Sequence, residues 1–174
     1  LAYVNIAVTV TTMDADIQKV IEPKASLPSD RIDILKYFKK TKANTGFHLM
    51  PIIPYITDSD DQLEALFKAA KEADVTYILP GILNLKGNTR HYFLEFIRNN
   101  YSDFYNNICE LYRKGNGYKE YKEYKEYKEY KEYKDYLYNR IGYFKSKYKL
   151  NFSDIKSIDE YLTLNNEPEQ LSIF

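Results

Sequence analysis

Residues 47–58 read FHLMPIIPYITD, and this stretch decides the fold. An apolar run that suits a strand ends in two prolines on either side of an isoleucine pair. Proline fixes φ and has no N–H, so it stiffens a loop and does not continue a central strand. The pattern predicts a strand over Gly46–Met50 that ends at Pro51, followed by a rigid apolar loop.

A helix is predicted directly after this loop. Ser59 and Gln62 have the spacing of a capping box, in which each side chain bonds the other residue's backbone N–H. Acidic residues crowd the first turn and Lys71 lies late, as the helix dipole favours. Apolar residues at i, i+3, i+4 and i+7 predict one buried face, formed by Leu63, Leu66, Phe67 and Ala70.

Two more strands flank this unit. Tyr3–Thr11 is rich in β-branched residues and is apolar on both faces in its early part, which predicts a buried parallel strand. Val75–Leu79 predicts a third strand, stopped by Pro80-Gly81. Ser29 or Asp30 is the expected cap of a helix between the first two strands. The series predicts a βαβαβ unit with parallel strands.

Helices dominate the rest of the chain. Thr89 is a candidate cap for one helix, and Ser102 for another that reaches Tyr112. Cys109 lies on the apolar face of the second helix, so we interpret it as a core residue and not a nucleophile. Apolar residues recur at helical spacing after both Thr89 and Ser102, so two consecutive helices are predicted.

A Tyr-Lys-Glu repeat runs from Tyr118 to Asp135. In a helix, tyrosines three residues apart drift round the axis, so the repeat predicts a solvated helix or spacer without a lasting buried face. A tyrosine surface that stacks on bases is the alternative, although the interleaved glutamates oppose it. Tyr136–Leu150 is expected to continue as helix, and Ser153–Leu162 to form a short last one. The chain therefore divides into an α/β unit (1–114), a repeat with a helical extension (115–162) and a flexible tail (163–174).

Composition narrows the class of protein. The 174 residues carry no net charge, but residues 113–156 hold 13 basic and 7 acidic side chains, which allows either an anionic partner or a solvated basic helix. A single cysteine excludes an internal disulfide and fits the cytoplasm. The sequence contains no apolar run of about 18 residues, so no membrane span is predicted. His48 and His91 lack metal-ligand spacing, so we expect both to be structural or exposed.

Three segments in order carry a resemblance. They read VTVTTMD at residues 8–14, IEPKASLPSDRI at 21–32 and HLMPIIPYITD at 48–58. Over residues 3–112 the series resembles the radical S-adenosylmethionine (radical SAM) superfamily, most closely its spore photoproduct lyase and DNA-repair-photolyase-like branch. The resemblance implies an α/β fold, a partial TIM-like (βα) barrel of which this chain holds the last three strands, followed by an α-helical C-terminal extension. The site of such a barrel lies at the carboxyl ends of the strands.

The resemblance also implies a set of cofactor-binding residues. Hydroxyls at the end of the first strand would bond the ribose and methionyl groups of S-adenosylmethionine, or else be ordinary β-formers that satisfy the local backbone. The proline-framed loop would wall the adenine and read its edge with backbone atoms, or else be a rigid rim turn. A Glu–Arg pair would fix the loop over the site, or be a surface ion pair. These residues are Thr9, Thr11, Thr12, Glu22, Arg31, Pro51, Ile52 and Ile53.

The sequence departs from that superfamily in one respect. Its members hold a [4Fe-4S] cluster through Cys-x3-Cys-x2-Cys, and this chain has one cysteine. We therefore expect the cluster ligands upstream of Leu1, in a longer protein of which this chain is the C-terminal part. The whole protein would be a lyase-like DNA-repair enzyme that uses a 5′-deoxyadenosyl radical from S-adenosylmethionine on DNA, and this chain alone would be inactive. The first strand would then lack a neighbour and leave an open edge.

The tail suggests a different class of function. Gln170, Leu171, Ser172, Ile173 and Phe174 end the chain and resemble the peptide by which bacterial replication and repair proteins bind the DNA polymerase sliding clamp. The amide would anchor the peptide while the apolar side chains fill a groove. Three interpretations of the chain's function stay open: a fragment of a radical SAM enzyme, a non-catalytic adaptor or remnant that binds the clamp, and an unrelated βα-barrel enzyme. A tail folded on its own core is the alternative to clamp binding.

Overall fold

The computed structural model describes residues 4–85, 87–112 and 126–151. Within them the chain forms, in order, β1 (Asn5–Thr9), α1 (Ala15–Ile21), α2 (Pro28–Lys39), β2 (Asn44–Ile52), α3 (Asp60–Glu72), β3 (Tyr77–Ile82), α4 (Gly87–Asn100), α5 (Ser102–Leu111) and α6 (Glu126–Tyr148). The strands form one parallel sheet in the order β1-β2-β3. The predicted α/β class and the parallel βαβαβ unit are confirmed, and the barrel stays a prediction.

The main core lies on one face of the sheet. Phe47 and Ile78 point into it from the strands, and α2, α3 and α6 cover it. The helices contribute Ile32 and Leu35, Leu63, Leu66 and Phe67, and Leu137, Ile141 and Phe144. Each fully buried Leu, Ile or Phe contributes about 1.5–3 kcal/mol from removal of its side chain from water. The helical extension thus shares a core with the sheet.

A second apolar cluster lies beyond the carboxyl ends of the strands. Ile53 enters it directly after β2, and Leu85 enters it shortly after β3. Helices α4 and α5 add Ile97 and Ile108, and Ile56 and Tyr112 complete the buried set. Because its members follow the strand ends, this cluster packs against the edge of the sheet where the sequence places the site.

Strand β1 differs from its prediction. It pairs with β2 alone, and its residues alternate between exposed and half-buried, so it is an edge strand and not a buried one in the described chain.

The other two strands continue past the prolines that were predicted to end them. Strand β2 continues through Pro51 to Ile52, and β3 continues through Pro80-Gly81 to Ile82. Pro51 lies within the irregular register between Leu49 and Ile52, and Pro80, the partner of Leu49, borders it. Proline is tolerated at such irregular positions of a sheet.

Several helix starts also differ. Helix α2 begins at Pro28 after Leu27, without the side-chain cap predicted from Ser29 or Asp30, because proline at the first position needs no partner for an N–H. Helix α4 begins at Gly87, before Thr89, and Tyr101 occupies the cap position of α5. Ser59 does accept from the Gln62 N–H of α3, as predicted.

The end of the Tyr-Lys-Glu repeat is more buried than its period predicts. Tyr133 packs against the first cluster and Tyr130 against the second. Tyr136, one repeat later, is 58 % exposed, as the drift of a period-three stripe requires. The expectation of a fully solvated helix is therefore wrong for the last two repeats before Tyr136. Residues 152–174, including the predicted helix over Ser153–Leu162 and the clamp-like tail, lie outside the described residues.

Candidate functional site

The parallel strands bring the predicted site residues to one edge of the sheet. Thr9 ends β1 and pairs with His48 of β2, and the Val10 N–H donates to the His48 carbonyl at 2.9 Å. Pro51 lies three residues further along β2. Carboxyl ends of parallel strands meet at the same edge, so the threonines and the proline-framed loop share it.

Arg31 joins several segments at the carboxyl ends of the strands. Its Nη2 lies 2.9 Å from Oε2 of Glu22, which is the ion pair that the sequence predicts. Its Nη1 donates to the Thr9 carbonyl at 2.7 Å, and its Nε donates to the Ser26 carbonyl at 3.1 Å. The Arg31 side chain is only 12 % exposed. One guanidinium thus joins the end of β1, the residue after α1 and the loop before α2.

The bond to Thr9 also protects the edge strand. Val4 and Val10 use their backbone groups to pair with β2, so the alternate residues Asn5, Ala7 and Thr9 direct theirs toward the open edge. Arg31 occupies the last of these carbonyls. An incoming strand can therefore pair with β1 only before Thr9, which limits uncontrolled edge pairing.

The predicted threonines have different environments. Thr9 is exposed, whereas Thr11 and Thr12 are 3 % and 1 % exposed. The Thr11 hydroxyl donates to Glu22 Oε1 at 3.4 Å. The Thr12 hydroxyl donates to Gln62 Oε1 at 2.6 Å and accepts from the Asp14 N–H at 3.0 Å. Both buried hydroxyls are therefore engaged within the chain, and Thr9 is the predicted hydroxyl that solvent reaches.

The proline-framed loop is packed and internally bonded. Ile52 and Ile53 are 1 % and 4 % exposed, and each belongs to a different apolar cluster. The Ile53 N–H donates to the Thr57 hydroxyl at 2.8 Å, and its carbonyl accepts from the Thr57 N–H at 2.9 Å. The Ile52 carbonyl accepts from Leu83 at 2.9 Å. A base at this loop would have to use other atoms, with half-buried Pro51 the most accessible of the three residues.

A tyrosine–aspartate contact joins the repeat to the loop after β2. The Tyr133 hydroxyl donates to Asp58 Oδ2, and the rings of Tyr55 and Tyr133 lie 6.0 Å apart. Tyr55 has φ of 65°, a left-handed conformation that turns the chain sharply before Asp58. Burial, followed by the hydrogen bond and the charge of Asp58, raises the pKa of Tyr133 above its ordinary value. The carboxylate therefore has a neutral phenol as its partner.

Three polar residues that the sequence did not single out as a group lie together on the sheet. Tyr77 is 8 % exposed and belongs to neither apolar cluster. Its hydroxyl oxygen lies 2.9 Å from Asn5 Nδ2 and 3.3 Å from His48 Nε2. Burial lowers the pKa of His48 below its usual value. The alternation of polar and small residues in β1 was a signal for this arrangement, but the β-branched residues between them obscured it.

A shallow groove of about 490 Å³ lies between α3 and α6. Its charged groups are matched: Arg140 pairs with Asp60 at 2.6 Å, and Lys147 pairs with Glu64. Exposed Tyr143 lies on its wall. The ion pairs fasten α6 to α3, and the groove contains none of the residues that the sequence predicts for a site.

The donor set of this chain does not fit an iron–sulfur cluster. Cys109 is the one cysteine in the sequence, and it is half-buried and outside the core, which corrects the expectation of a core residue. Across the described ranges, no three His, Cys, Asp or Glu side chains come together as metal ligands. Of the two histidines, His91 is exposed and His48 half-buried. In the same ranges no helix is long and apolar enough to cross a bilayer.

Comparison with known proteins gives distant relatives. No family model and no solved structure matches the chain. It is similar to the protein of Mycobacterium bovis named "Uncharacterized protein Mb2609c" and to that of Mycobacterium tuberculosis named "Uncharacterized protein Rv2578c", each 24 % identical over 112 residues. Those residues are 64 % of this chain and 33 % of each relative. The matched part thus spans about a third of the length of these relatives.

Proposed function

We propose that this chain is the C-terminal part of a radical SAM enzyme related to spore photoproduct lyase. The ordered series of three segments that resemble this branch carries the proposal. Parallel pairing supports it, because the first and third segments lie at the carboxyl ends of β1 and β2, and Arg31 joins the second segment to Thr9 at the same end. The strands would be the last three of a partial TIM-like barrel, and the open edge of β1 would adjoin the remainder. The substrate of the whole enzyme would be a lesion in DNA.

Exposure at the carboxyl ends of the strands decides which of the predicted residues could contact the cofactor directly. Thr9 offers an exposed hydroxyl, and the Glu22–Arg31 pair lies beside it at the end of β1. These groups would position S-adenosylmethionine, while Thr11, Thr12, Ile52 and Ile53 would support them from within the fold. The iron–sulfur cluster does not fit the residues of this chain, and no role in holding it is assigned to them.

The test uses the whole reading frame and this chain side by side. We expect the frame upstream of Leu1 to encode a Cys-x3-Cys-x2-Cys motif and the whole protein, reduced without oxygen, to release 5′-deoxyadenosine from S-adenosylmethionine. This chain alone should release none. Arg31→Gln in the whole protein should raise the KM for S-adenosylmethionine, whereas Lys36→Gln, on the same helix but at an exposed pair, should not. A frame without the cysteines, or equal KM values for the two variants, would reject the proposal.

We propose as a second function that the tail binds the DNA polymerase sliding clamp. The match of residues 170–174 to the clamp-binding peptide favours it, and it holds whether the protein is an enzyme or a non-catalytic adaptor. The cytoplasm is the compartment that both functions imply. Deletion of Gln170–Phe174 should abolish retention of the chain on immobilised clamp, and Gln170→Ala with Phe174→Ala should do the same. Retention by the double variant would contradict clamp binding through this peptide.

A further inference from the structure

Three helices end beside the amino ends of the strands. The strands are parallel, so α2 and α3 return the chain to the starts of β2 and β3 and end there. Lys39 of α2 pairs with Asp74, just after α3, at 3.2 Å. Helix α6 ends at the same place, because the Ile78 N–H near the start of β3 donates to the carbonyl of Asn151, shortly after α6, at 2.9 Å. The last turns of all three helices therefore share one end of the sheet, opposite to the predicted site.

Lysine is concentrated at this end. The last turns of α2, α3 and α6, with the connecting residues that follow them, hold eight lysines and two acidic residues, a net charge of +6. We call these segments, residues 36–43, 69–76 and 145–151, the basic end. The segments at the carboxyl ends of the strands, with the first turns of the next helices, hold five basic and seven acidic residues over 10–31, 53–63 and 83–90. The neutral composition of the chain therefore conceals a separation of charge.

Half of these lysines have no acidic partner among the described residues. They are Lys40, Lys42, Lys71 and Lys149, and all four are exposed. Three of the others pair with acidic side chains. A cation in the last turn of a helix complements the helix dipole, which accounts for Lys71. The other three follow the last turns of α2 and α6, where the dipole no longer explains them. Exposed cations gathered at one end create a positive potential that attracts a polyanion.

Exposed tyrosines lie beside the lysines. Tyr37 is exposed on α2 between Lys36 and Lys39. Tyr143 is exposed on α6, one turn before Lys147. An aromatic ring that is open to solvent next to cations offers a stacking surface for a base whose phosphate the cations hold. Cations and exposed rings are the two components by which proteins hold single-stranded nucleic acid without regard to its sequence.

We propose that the basic end binds single-stranded nucleic acid, with phosphates on its lysines and bases stacked on Tyr37 and Tyr143. An anionic membrane fits less well, because the described residues of the basic end expose no large aliphatic side chain for insertion: Val75 and Leu150 are buried. The contacts are to phosphates and ring faces, so binding is independent of base sequence. The surface lies at the opposite end of the sheet from Thr9 and does not depend on the cofactor or the substrate proposed above.

Fluorescence anisotropy of a labelled oligothymidylate, titrated with the whole chain, provides a direct test. An oligomer of about thirty nucleotides covers the basic end, and we expect micromolar binding in 50 mM salt. About five phosphate contacts would give a slope of about −3.5 for log K against log salt concentration, so binding should weaken about 100-fold between 50 and 200 mM salt. Vesicles of phosphatidylserine and phosphatidylcholine, tested in parallel, should bind more weakly than the oligonucleotide.

Matched lysine variants separate the basic end from a general effect of charge. Lys40→Gln with Lys42→Gln should weaken binding at least tenfold in 50 mM salt and make the salt slope shallower by about 1.4. Lys19→Gln with Lys24→Gln removes the same charge from exposed positions at the carboxyl ends of the strands and should bind within about twofold of the wild type.

Tyrosine variants test the stacking. Tyr37→Ala should weaken binding at least fivefold, whereas Tyr37→Phe keeps the ring and should bind like the wild type. Tyr92, as exposed as Tyr37 but on α4, supplies the control Tyr92→Ala, which should have no effect. Far-ultraviolet circular dichroism checks that each variant folds.

The proposal is overturned if the wild-type chain does not bind the oligonucleotide in 50 mM salt, or if the two lysine pairs have equal effects. It is also overturned if Tyr37→Ala binds as well as the wild type, or if the vesicles bind more tightly than the oligonucleotide.

Discussion

Gly46→Ala tests the packing of the sheet face that carries Asn5, His48 and Tyr77. The new methyl group would lie 2.4 Å from Cζ and Oη of Tyr77, far inside van der Waals contact. Because no helix among the described residues covers this face, we expect the ring to swing outward and the backbone to stay in place. The move would break the bond from Asn5 at 2.9 Å and the contact with His48 at 3.3 Å.

The magnitude follows from two effects. An inserted methyl group that forces a side chain from its position costs about 1–3 kcal/mol. Each neutral hydrogen bond that is lost costs about 0.5–1.5 kcal/mol, less where water replaces the partner. Water reaches this face, so we expect a net loss of about 2 kcal/mol in the free energy of unfolding.

Urea denaturation followed by circular dichroism measures this loss, and a double-mutant cycle assigns its cause. Tyr77→Leu removes the atoms that the methyl group meets, so Gly46→Ala should cost less than about 0.5 kcal/mol in that background. Gly142, which has nothing within 4 Å of an added Cβ, supplies the matched control Gly142→Ala. The reasoning fails if Gly46→Ala costs as much with leucine at position 77 as with tyrosine.

Three further predictions concern other parts of the fold. Leu137→Ala should cost about 2–5 kcal/mol in urea denaturation, because it opens a cavity under α6, whereas exposed Tyr136→Ala should change stability by less than about 0.5 kcal/mol. Arg31→Lys should cost about 1–3 kcal/mol by the same assay, since lysine cannot satisfy three acceptors from one planar group. The lowered pKa of His48 means that the unfolded chain binds its proton first as pH falls below about 6.5. The contribution of His48 to stability should therefore be constant above that pH and decrease below it until the folded pKa is passed, and His48→Leu, but not His91→Gln, should reduce the loss of stability.

Periodicity predicted the elements that bury a continuous face. Helix α3 follows its pattern because Leu63, Leu66 and Phe67 all reach the main core, and Ser59 caps it as expected. The order and direction of the strands follow from the alternation of strands with helices. The Glu22–Arg31 pair was also predictable, although its third partner, the Thr9 carbonyl, was not.

Other elements depend on contacts that a linear pattern does not contain. Helix α1 has seven residues, too few for a clear period, and is capped by Asp14, which accepts from two N–H groups of the first turn. Gln62 was expected to complete a capping box, but its side chain bonds Thr12 instead. The apolar residues of β1 indicated burial, yet a strand with one neighbour has an exposed side.

The docking of α6 has a consequence for the gene. Tyr130 and Tyr133 contact the body of the protein, and the letters before them repeat the same three-residue unit. Replication slippage that adds or deletes one Tyr-Lys-Glu unit upstream leaves a tyrosine at both positions that contact the body of the protein. Leu137 stays at the same distance after them. The tract can therefore differ in length among strains without a change in the residues that fasten this helix, and natural variation there is expected to be nearly neutral for folding.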